Sequence, residues 1–236
     1  MPTGTNTPLT AGPVKMLNVG DSGDGKTGLL ASLLRTGYRV VILDFDNGVQ
    51  ILQSVLAKEP EALSRLYWET FTDTLKPVGG RITYSKVNAF SRAMGFIDTG
   101  KASDFNLGPL RTWGPDTILV IDSLTFMSSA AFRAILSLVN RLPPARPEIQ
   151  DYGAAMDAIE NVLGLLYSTD IKCNVIINSH ITFVEGEDNR VAAYPAALGT
   201  KLPPKVGRYF NTMIQTAKEG TGAGTPFTRW SFARYH

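Results

Sequence analysis

Eight consecutive residues, Gly20-Asp21-Ser22-Gly23-Asp24-Gly25-Lys26-Thr27, constrain the fold of this chain more than any other segment. They fit the pattern G-x-x-x-x-G-K-[ST] without a gap, the signature of a loop that wraps phosphate groups. The surroundings agree: the short apolar run 14–19 reads as a buried strand in front of the loop, and 27–34 reads as a helix behind it. Gly20, Gly23 and Gly25 allow backbone conformations that turn consecutive N–H groups toward one anion. The positive end of the following helix points at the same place. Lys26 supplies a mobile cation for the outer phosphates, and the Thr27 hydroxyl is suited to Mg²⁺. The phosphate-binding candidates are therefore Gly20, Asp21, Ser22, Gly23, Asp24, Gly25, Lys26 and Thr27. Asp21 and Asp24 are unusual among them, because they add two carboxylates to a loop built for anions. Side chains directed outward, or a bound Mg²⁺, would offset that repulsion.

A chain of 236 residues with 44% hydrophobic content can bury one substantial core, which fits a single α/β domain over 14–236 after a flexible Thr-, Gly- and Pro-rich arm at 1–13. The 23 basic and 21 acidic residues leave a formal charge of +2, so bulk charge selects no partner and any nucleic-acid site must be a local patch. The single Cys173 excludes an internal disulfide, suits a reducing cytoplasm, and reads as a buried small hydrophobe. The first residues lack the apolar segment of a signal peptide, and no apolar run is long enough to cross a bilayer.

Along the chain, apolar runs alternate with helical patterns. Strands are expected at 39–44, 81–84, 117–122 and 174–178, with 209–216 and 227–233 closing the chain around a Gly-rich turn at 220–224. Helices are expected at 50–57, 61–67, 90–95, 127–140 and 151–167. The stretches 100–115 and 141–150 read as irregular, and 185–195 as polar and mobile. Such alternation implies a mostly parallel sheet with helices on both faces. Ligands of such sheets sit at the carboxyl ends of the strands, which places the Gly20–Thr27 loop, Asp44, Asp46, Asp122 and His180 along one rim.

Asp122 ends the apolar run Ile118-Leu119-Val120-Ile121 and precedes Ser123. A carboxylate there can hold Mg²⁺ together with Thr27, or cap the next helix. Hydrolysis also needs a group that orients or deprotonates water. Asp46, in Leu43-Asp44-Phe45-Asp46-Asn47-Gly48, is the candidate, and Asp44 is the alternative because period-two alternation puts both on one side. The same Asp-Asn-Gly suits a plain turn. His180 ends the strand 174–178 with Ser179, where it can sense the outer phosphate or simply bond to nearby backbone.

Together these residues resemble the RecA-like ATPase core over about 14–216. The elements that carry the likeness are the loop 20–27, Ile42-Leu43-Asp44-Phe45-Asp46, Val120-Ile121-Asp122-Ser123 and Ile176-Ile177-Asn178-Ser179-His180. Asp46 stands where RecA-like proteins place a catalytic Glu, and His180 where they usually carry Gln. Within that group the chain is similar to small phage-encoded RecA-like single-strand annealing and AAA-type nucleotide-binding proteins. The pieces are Trp113-Gly114-Pro115-Asp116 before the Asp122 strand, the Ser-His strand end, and Tyr194-Pro195-Ala196-Ala197-Leu198-Gly199-Thr200-Lys201 before Arg208-Tyr209-Phe210-Asn211. The resemblance implies an ATPase core with a C-terminal antiparallel extension, ATP and Mg²⁺ as cofactors, and Lys26, Asp46 and His180 as catalytic residues. It further implies action on single-stranded DNA in recombination or annealing, assembly into homo-oligomeric rings or filaments, and a bacterial host's cytoplasm. A single-strand-binding or other recombination protein is an implied partner, and a membrane is not. DNA would face the loops 141–150, with Arg141 and Arg146, and 181–199, with Arg190 and Tyr194, although Glu185, Glu187 and Asp188 oppose it. Lys201, Lys205 and Arg208 would reach a neighbouring subunit's γ-phosphate, bind DNA, or form a solvated face. Two other functions fit the same motifs. One is a nucleotide-gated module that recruits a replication or recombination protein without touching DNA; the other is a phosphotransferase.

Overall fold

The structure is a computed structural model that describes residues 12–185, 191–219 and 227–232. The chain opens with β1 (Lys15–Val19), which leads through the glycine loop into α1 (Lys26–Arg35) and then β2 (Arg39–Asp44). Two short helices follow, α2 (Val49–Val55) and α3 (Pro60–Leu63), then β3 (Leu66–Thr70) and a hairpin of β4 (Thr74–Val78) and β5 (Arg81–Lys86). Helix α4 (Ala89–Thr99) leads to β6 (Thr117–Asp122), α5 (Leu124–Leu138), α6 (Ile149–Tyr167) and β7 (Asn174–Ser179). A second hairpin, β8 (Ile181–Glu185) with β9 (Val191–Pro195), precedes α7 (Pro203–Val206), β10 (Thr212–Glu219) and β11 (Phe227–Phe232).

The main sheet has the order β11-β10-β1-β7-β6-β2-β3. Every pairing in it is parallel except β10 with β11, the antiparallel extension at the C-terminus. Strand β6, Thr-Ile-Leu-Val-Ile-Asp, is buried at every position, as expected of a strand covered on both faces. Alternate side chains build two cores. Leu17, Leu43, Ile121 and Ile177 point to the face covered by α4, α5 and α6. Ile42, Val120 and Ile176 point to the face covered by α1, α2 and α3. One strand, β7, lies between the strand that launches the glycine loop and the strand that ends in Asp122. This is a mostly parallel α/β core with helices on both faces and an antiparallel strand at one edge.

Several expectations are corrected. The helix expected at 61–67 is split: Pro60 starts a single turn that ends at Leu63, and Leu66–Thr70 joins the sheet beside β2. The stretch 185–195 is not uniformly irregular, because Val191–Pro195 pairs with Ile181–Glu185. The arm up to residue 11, Glu187, Asp188 and Arg190, the turn 220–224 and the end of the chain from Ala233 lie outside the described residues. No helix among the described residues is long and apolar enough to cross a membrane.

Candidate nucleotide-binding site

The site forms where β1, β2, β6 and β7 end together. The parallel registers align Asp44 with Asp122, Asp122 with Asn178, and Asn178 with Asn18. Residues in one row of a sheet share a face, so these polar side chains stand on the α1 side, one step beyond Ile42, Val120, Ile176 and Met16. Asn18 Nδ2 donates to Asn178 Oδ1 at 2.9 Å, and both side chains are fully buried. The two amides therefore fix the floor of the rim beside Asp122.

The glycine loop is held by close packing. A Cβ on Gly20 would lie 2.2 Å from Thr216 Oγ1 and 2.7 Å from the Thr216 carbonyl oxygen, so β10 crosses too near for any side chain. Gly23 and Gly25 have φ of 80° and 90°, the left-handed region that glycine enters at little cost. Lys26 is 7% exposed, and its Nζ donates to the carbonyls of Gly20 and Asp21, each at 2.7 Å. Burial pulls its pKa below the usual lysine value, against the opposing pull of Asp122, Asp24, Asp46 and Asp21. The Asp24 carboxylate does not point outward. It turns back into the loop and accepts the Asp21 N–H at 2.7 Å, so one anion-binding N–H of the loop already has an internal carboxylate partner.

At the foot of the loop the Thr27 hydroxyl donates to Asp122 Oδ2 at 3.0 Å. Asp122 is 2% exposed, and burial pushes its carboxyl above the ordinary carboxylate range. Gly48 faces the same point: a Cβ there would come within 3.0 Å of Asp46 Oδ1, 3.7 Å of Asp122 Oδ2 and 3.8 Å of Thr27 Oγ1. The missing side chain keeps a space between three oxygen donors, a hard set suited to Mg²⁺. Among the described residues no group of three or more His, Cys, Asp or Glu could hold a metal by itself. Thr27 and Asp122 therefore fit an ion that also takes oxygens from phosphate and water.

The two aspartates after β2 divide. Asp44 is 2% exposed and accepts the N–H groups of Asp46 and Gly48 at 3.3 and 3.1 Å, with the Thr70 hydroxyl at 3.4 Å. It is the hub of a turn in which Asn47 takes φ of 63°. Strand β2 ends at Asp44, so the alternation expected to carry on to Asp46 stops there. Asp46 instead enters the cleft, which has a volume of about 590 Å³ and is also lined by Lys26, Thr27, Gly48, Asp122, Phe126 and His180. Burial first, and Asp122 next, raise its pKa, which makes it a stronger base toward a bound water. The Asp-Asn-Gly segment is a turn: the Gly48 N–H is shared by Asp44 Oδ1 at 3.1 Å and Asp46 Oδ1 at 3.2 Å, and Asp46 also lines the cleft.

His180 reaches the same cleft. Its N–H donates to Thr125 Oγ1 at 3.3 Å, and the Thr125 hydroxyl donates to the Ala196 carbonyl at 3.0 Å. The ring stands edge-on to Phe126 with centroids 6.0 Å apart. Burial, then the Lys26 charge, lower its pKa, so the imidazole is neutral near pH 7 and can accept or donate a hydrogen bond.

The Lys201, Lys205 and Arg208 group lies elsewhere. Lys205 pairs with Glu160 of α6 at 3.2 Å, and Arg208 bonds to the same carboxylate. The Tyr209 hydroxyl donates to Glu160 at 3.0 Å. Helix α6 covers the sheet face opposite α1, so this cluster and the glycine loop stand on different sides of the subunit. Of the residues proposed to face DNA, Arg141 pairs with Asp151 at 2.7 Å and Glu148 at 3.2 Å, where it braces the capping box that starts α6. Arg146 is exposed and Tyr194 half-buried. Sequence reasoning missed Gly48, Thr216 and the Asn18–Asn178 pair. The signal for the asparagines was present, since each is a polar residue directly following an apolar run within its strand.

Fold and site together define a mostly parallel α/β architecture with a phosphate-loop motif between β1 and α1. No protein-family model and no curated protein sequence matches the chain. Among solved structures it is similar to the flagellar accessory protein FlaH from Methanocaldococcus jannaschii, at 11% identity and a TM-score of 0.46, over 95% of this chain and 79% of that one. It is also similar to an ATPase from the type III secretion system of pathogenic bacteria, at 15% identity and a TM-score of 0.47. That likeness covers 87% of this chain, which spans about half, 52%, of the secretion ATPase. The fold assignment rests on the strand order and the loop geometry described above.

Proposed function

We propose that the protein is a Mg²⁺- and ATP-dependent RecA-like ATPase that acts on single-stranded DNA in recombination or annealing. The observation that carries the nucleotide part is the 3.0 Å hydrogen bond from Thr27 to Asp122. It joins the phosphate loop to a second buried acid at the mouth of a cleft that Lys26, Asp46 and His180 share. In this reading the loop amides and Lys26 hold the phosphates, while Thr27 and Asp122 hold Mg²⁺, which when bound neutralises the outer phosphate charge. Asp46 orients the attacking water, and His180 hydrogen-bonds to the outer phosphate or its water.

The DNA part rests on the resemblance described under Sequence analysis. Assembly into a ring or filament belongs to the same proposal. The cleft is flanked by Ile51 and Phe126, 61% and 45% exposed, apolar surface that a second copy would cover. For Lys205 or Arg208 to reach a neighbour's phosphate, each must leave Glu160, so Lys201 is the least encumbered candidate. A reducing cytoplasm and a recombination-protein partner complete the proposal. One observation favours the alternative of a nucleotide-gated module that recruits a protein without touching DNA: Arg141 is already committed to Asp151 and Glu148.

ATP hydrolysis with and without single-stranded DNA separates the two, using Lys26→Ala and Asp46→Asn as controls. Stimulation by DNA that both variants lose supports the DNA-dependent ATPase. Turnover indifferent to DNA, with no DNA binding at low salt in the presence of ATP, transfers support to the protein-recruiting module.

A further inference from the structure

We propose that the β4–β5 hairpin, rather than the loops 141–150 and 181–199, is the main single-stranded nucleic-acid contact of this chain; the proposal rests on the DNA function put forward above. Between Thr74 and Asn88 the sequence has three cations, Lys76, Arg81 and Lys86, and no acid. All three are exposed, and among the described residues none is paired with a carboxylate.

The register sorts the hairpin into two unlike faces. Leu75 lies opposite Tyr84 and Pro77 opposite Ile82, so these four share one apolar face. Val78 lies opposite Arg81, and Lys76 opposite Thr83. A register shift next to Thr74 sets Lys86 opposite Thr74, on the same face as Lys76. The three cations therefore stand on one face at successive two-residue steps, at the levels of Val78, Lys76 and Thr74. Each step is about 6.6 to 6.8 Å of strand, a spacing that an extended sugar–phosphate backbone can follow. Their exposed aliphatic neighbour Val78 adds apolar surface on the same side.

The hairpin is anchored at its base. Asp73 accepts the N–H groups of Asn88 and Ala89, each at 2.9 Å, and pairs with Arg133 of α5 at 2.6 Å. The Arg133 guanidinium lies 5.6 Å from the Tyr84 ring. Tyr84 belongs to the apolar face and makes the contact with α5, while Leu75 and Ile82 of that face are 54% and 67% exposed; the hairpin stands out from the body and leaves its basic face in solvent. Asp73 lies three residues beyond Thr70 at the end of β3, and Arg133 stands in the second half of α5, the helix that follows Asp122.

The test is binding of fluorescein-labelled oligo-dT to the full chain in the presence of ATP, measured across a salt series. Wild type is compared with the triple variant Lys76→Ala/Arg81→Ala/Lys86→Ala. For single strands each lost phosphate contact lowers the log–log salt slope by about 0.7, so the variant should lose about 2 from the slope and about tenfold or more in affinity at moderate salt. Binding of a fluorescent ATP analogue should not change. Wild-type oligo-dT binding with an unaltered slope in the variant would overturn the hairpin assignment and leave the DNA function standing. Failure of wild type to bind oligo-dT at low salt would overturn both. Capture of phosphatidylserine vesicles or a poly-glutamate peptide in place of oligo-dT, lost in the triple variant, would also overturn the proposal and assign the face to another anion.

Discussion

Two charged clusters in this chain differ in how their charges are partnered. At the nucleotide rim, Lys26, Asp46 and Asp122 surround one open cleft, and no pair of them forms a salt bridge among the described residues. On the opposite face of the sheet, Lys205 and Arg208 converge on Glu160, and Tyr209 donates to the same carboxylate. The first cluster holds its charges with neutral hydrogen-bond partners and no opposite-charge pair, which costs stability unless a ligand supplies countercharge. In the second, both cations already share one carboxylate partner. Uncompensated buried charge is a mark of function, and satisfied surface charge is ordinary structure.

The sharpest way to break this contrast is Lys26→Ala. Removing a cation aimed at developing negative charge should lower ATP turnover about a hundredfold or more, in the range seen when a single stabilising donor is lost. Phosphate-release kinetics check it, and turnover within a few-fold of wild type would mean that the cleft is not the site.

Next in size is Gly20→Ala. The added Cβ meets the Thr216 side chain and backbone within 3 Å, so β10 or the loop must shift. An overpacking cost of about 1 to 3 kcal/mol is expected, read from chemical denaturation, with nucleotide affinity falling alongside it. Gly28, which has open space around its Cβ position, is the matched control, and Gly28→Ala should be stable.

A smaller effect concerns Asp46. Its folded pKa is raised above the ordinary carboxylate value by burial and by Asp122. Between those two values the folded state holds the extra proton, so this group's stability is present at lower pH and is lost as the pH rises through the folded value. Asp46→Asn removes that loss. The variant should melt above wild type at pH 8 in the absence of nucleotide, and the gap should close as the pH falls. An equal gap at every pH would show that the Asp46 charge is not strained.

The least effect is expected from Glu160→Gln. It should leave ATP turnover within about twofold and shift the melting temperature little, as for most exposed ion pairs. A large fall in turnover that appears only at assembling protein concentrations would give Lys205 or Arg208 a role across a subunit interface.

Much of the central sheet was legible because its strands are short apolar runs with few alternatives. The stretches 117–122 and 174–178 fell on β6 and β7 nearly to the residue, and the loop 20–27 announced itself by glycine spacing. What was illegible depended on contacts between distant segments. Leu66–Thr70 is short and mixed in composition, continues a stretch that reads as helical from Glu61, and joins the sheet by pairing with β2. Thr74–Val78 contains Pro77 and an exposed Leu75, and pairs only because Gly79 and Gly80 reverse the chain. The sequence could not tell which of Asp44 and Asp46 lines the cleft, since that turns on where β2 ends; the Gly48 N–H bonds both carboxylates. The role of Gly48 was hidden for the same reason: nothing local says that Thr27 and Asp122 will lie across from it.

The central claim, that Thr27 and Asp122 complete a Mg²⁺-dependent nucleotide site, is tested most directly by calorimetric titration of ATP into wild type and Asp122→Asn, with Mg²⁺ and with a chelator. The account predicts one saturable site in wild type that weakens at least tenfold when Mg²⁺ is removed or Asp122 is replaced, with no further loss when both are done. Equal affinity in all four titrations, or no binding by wild type, would contradict it.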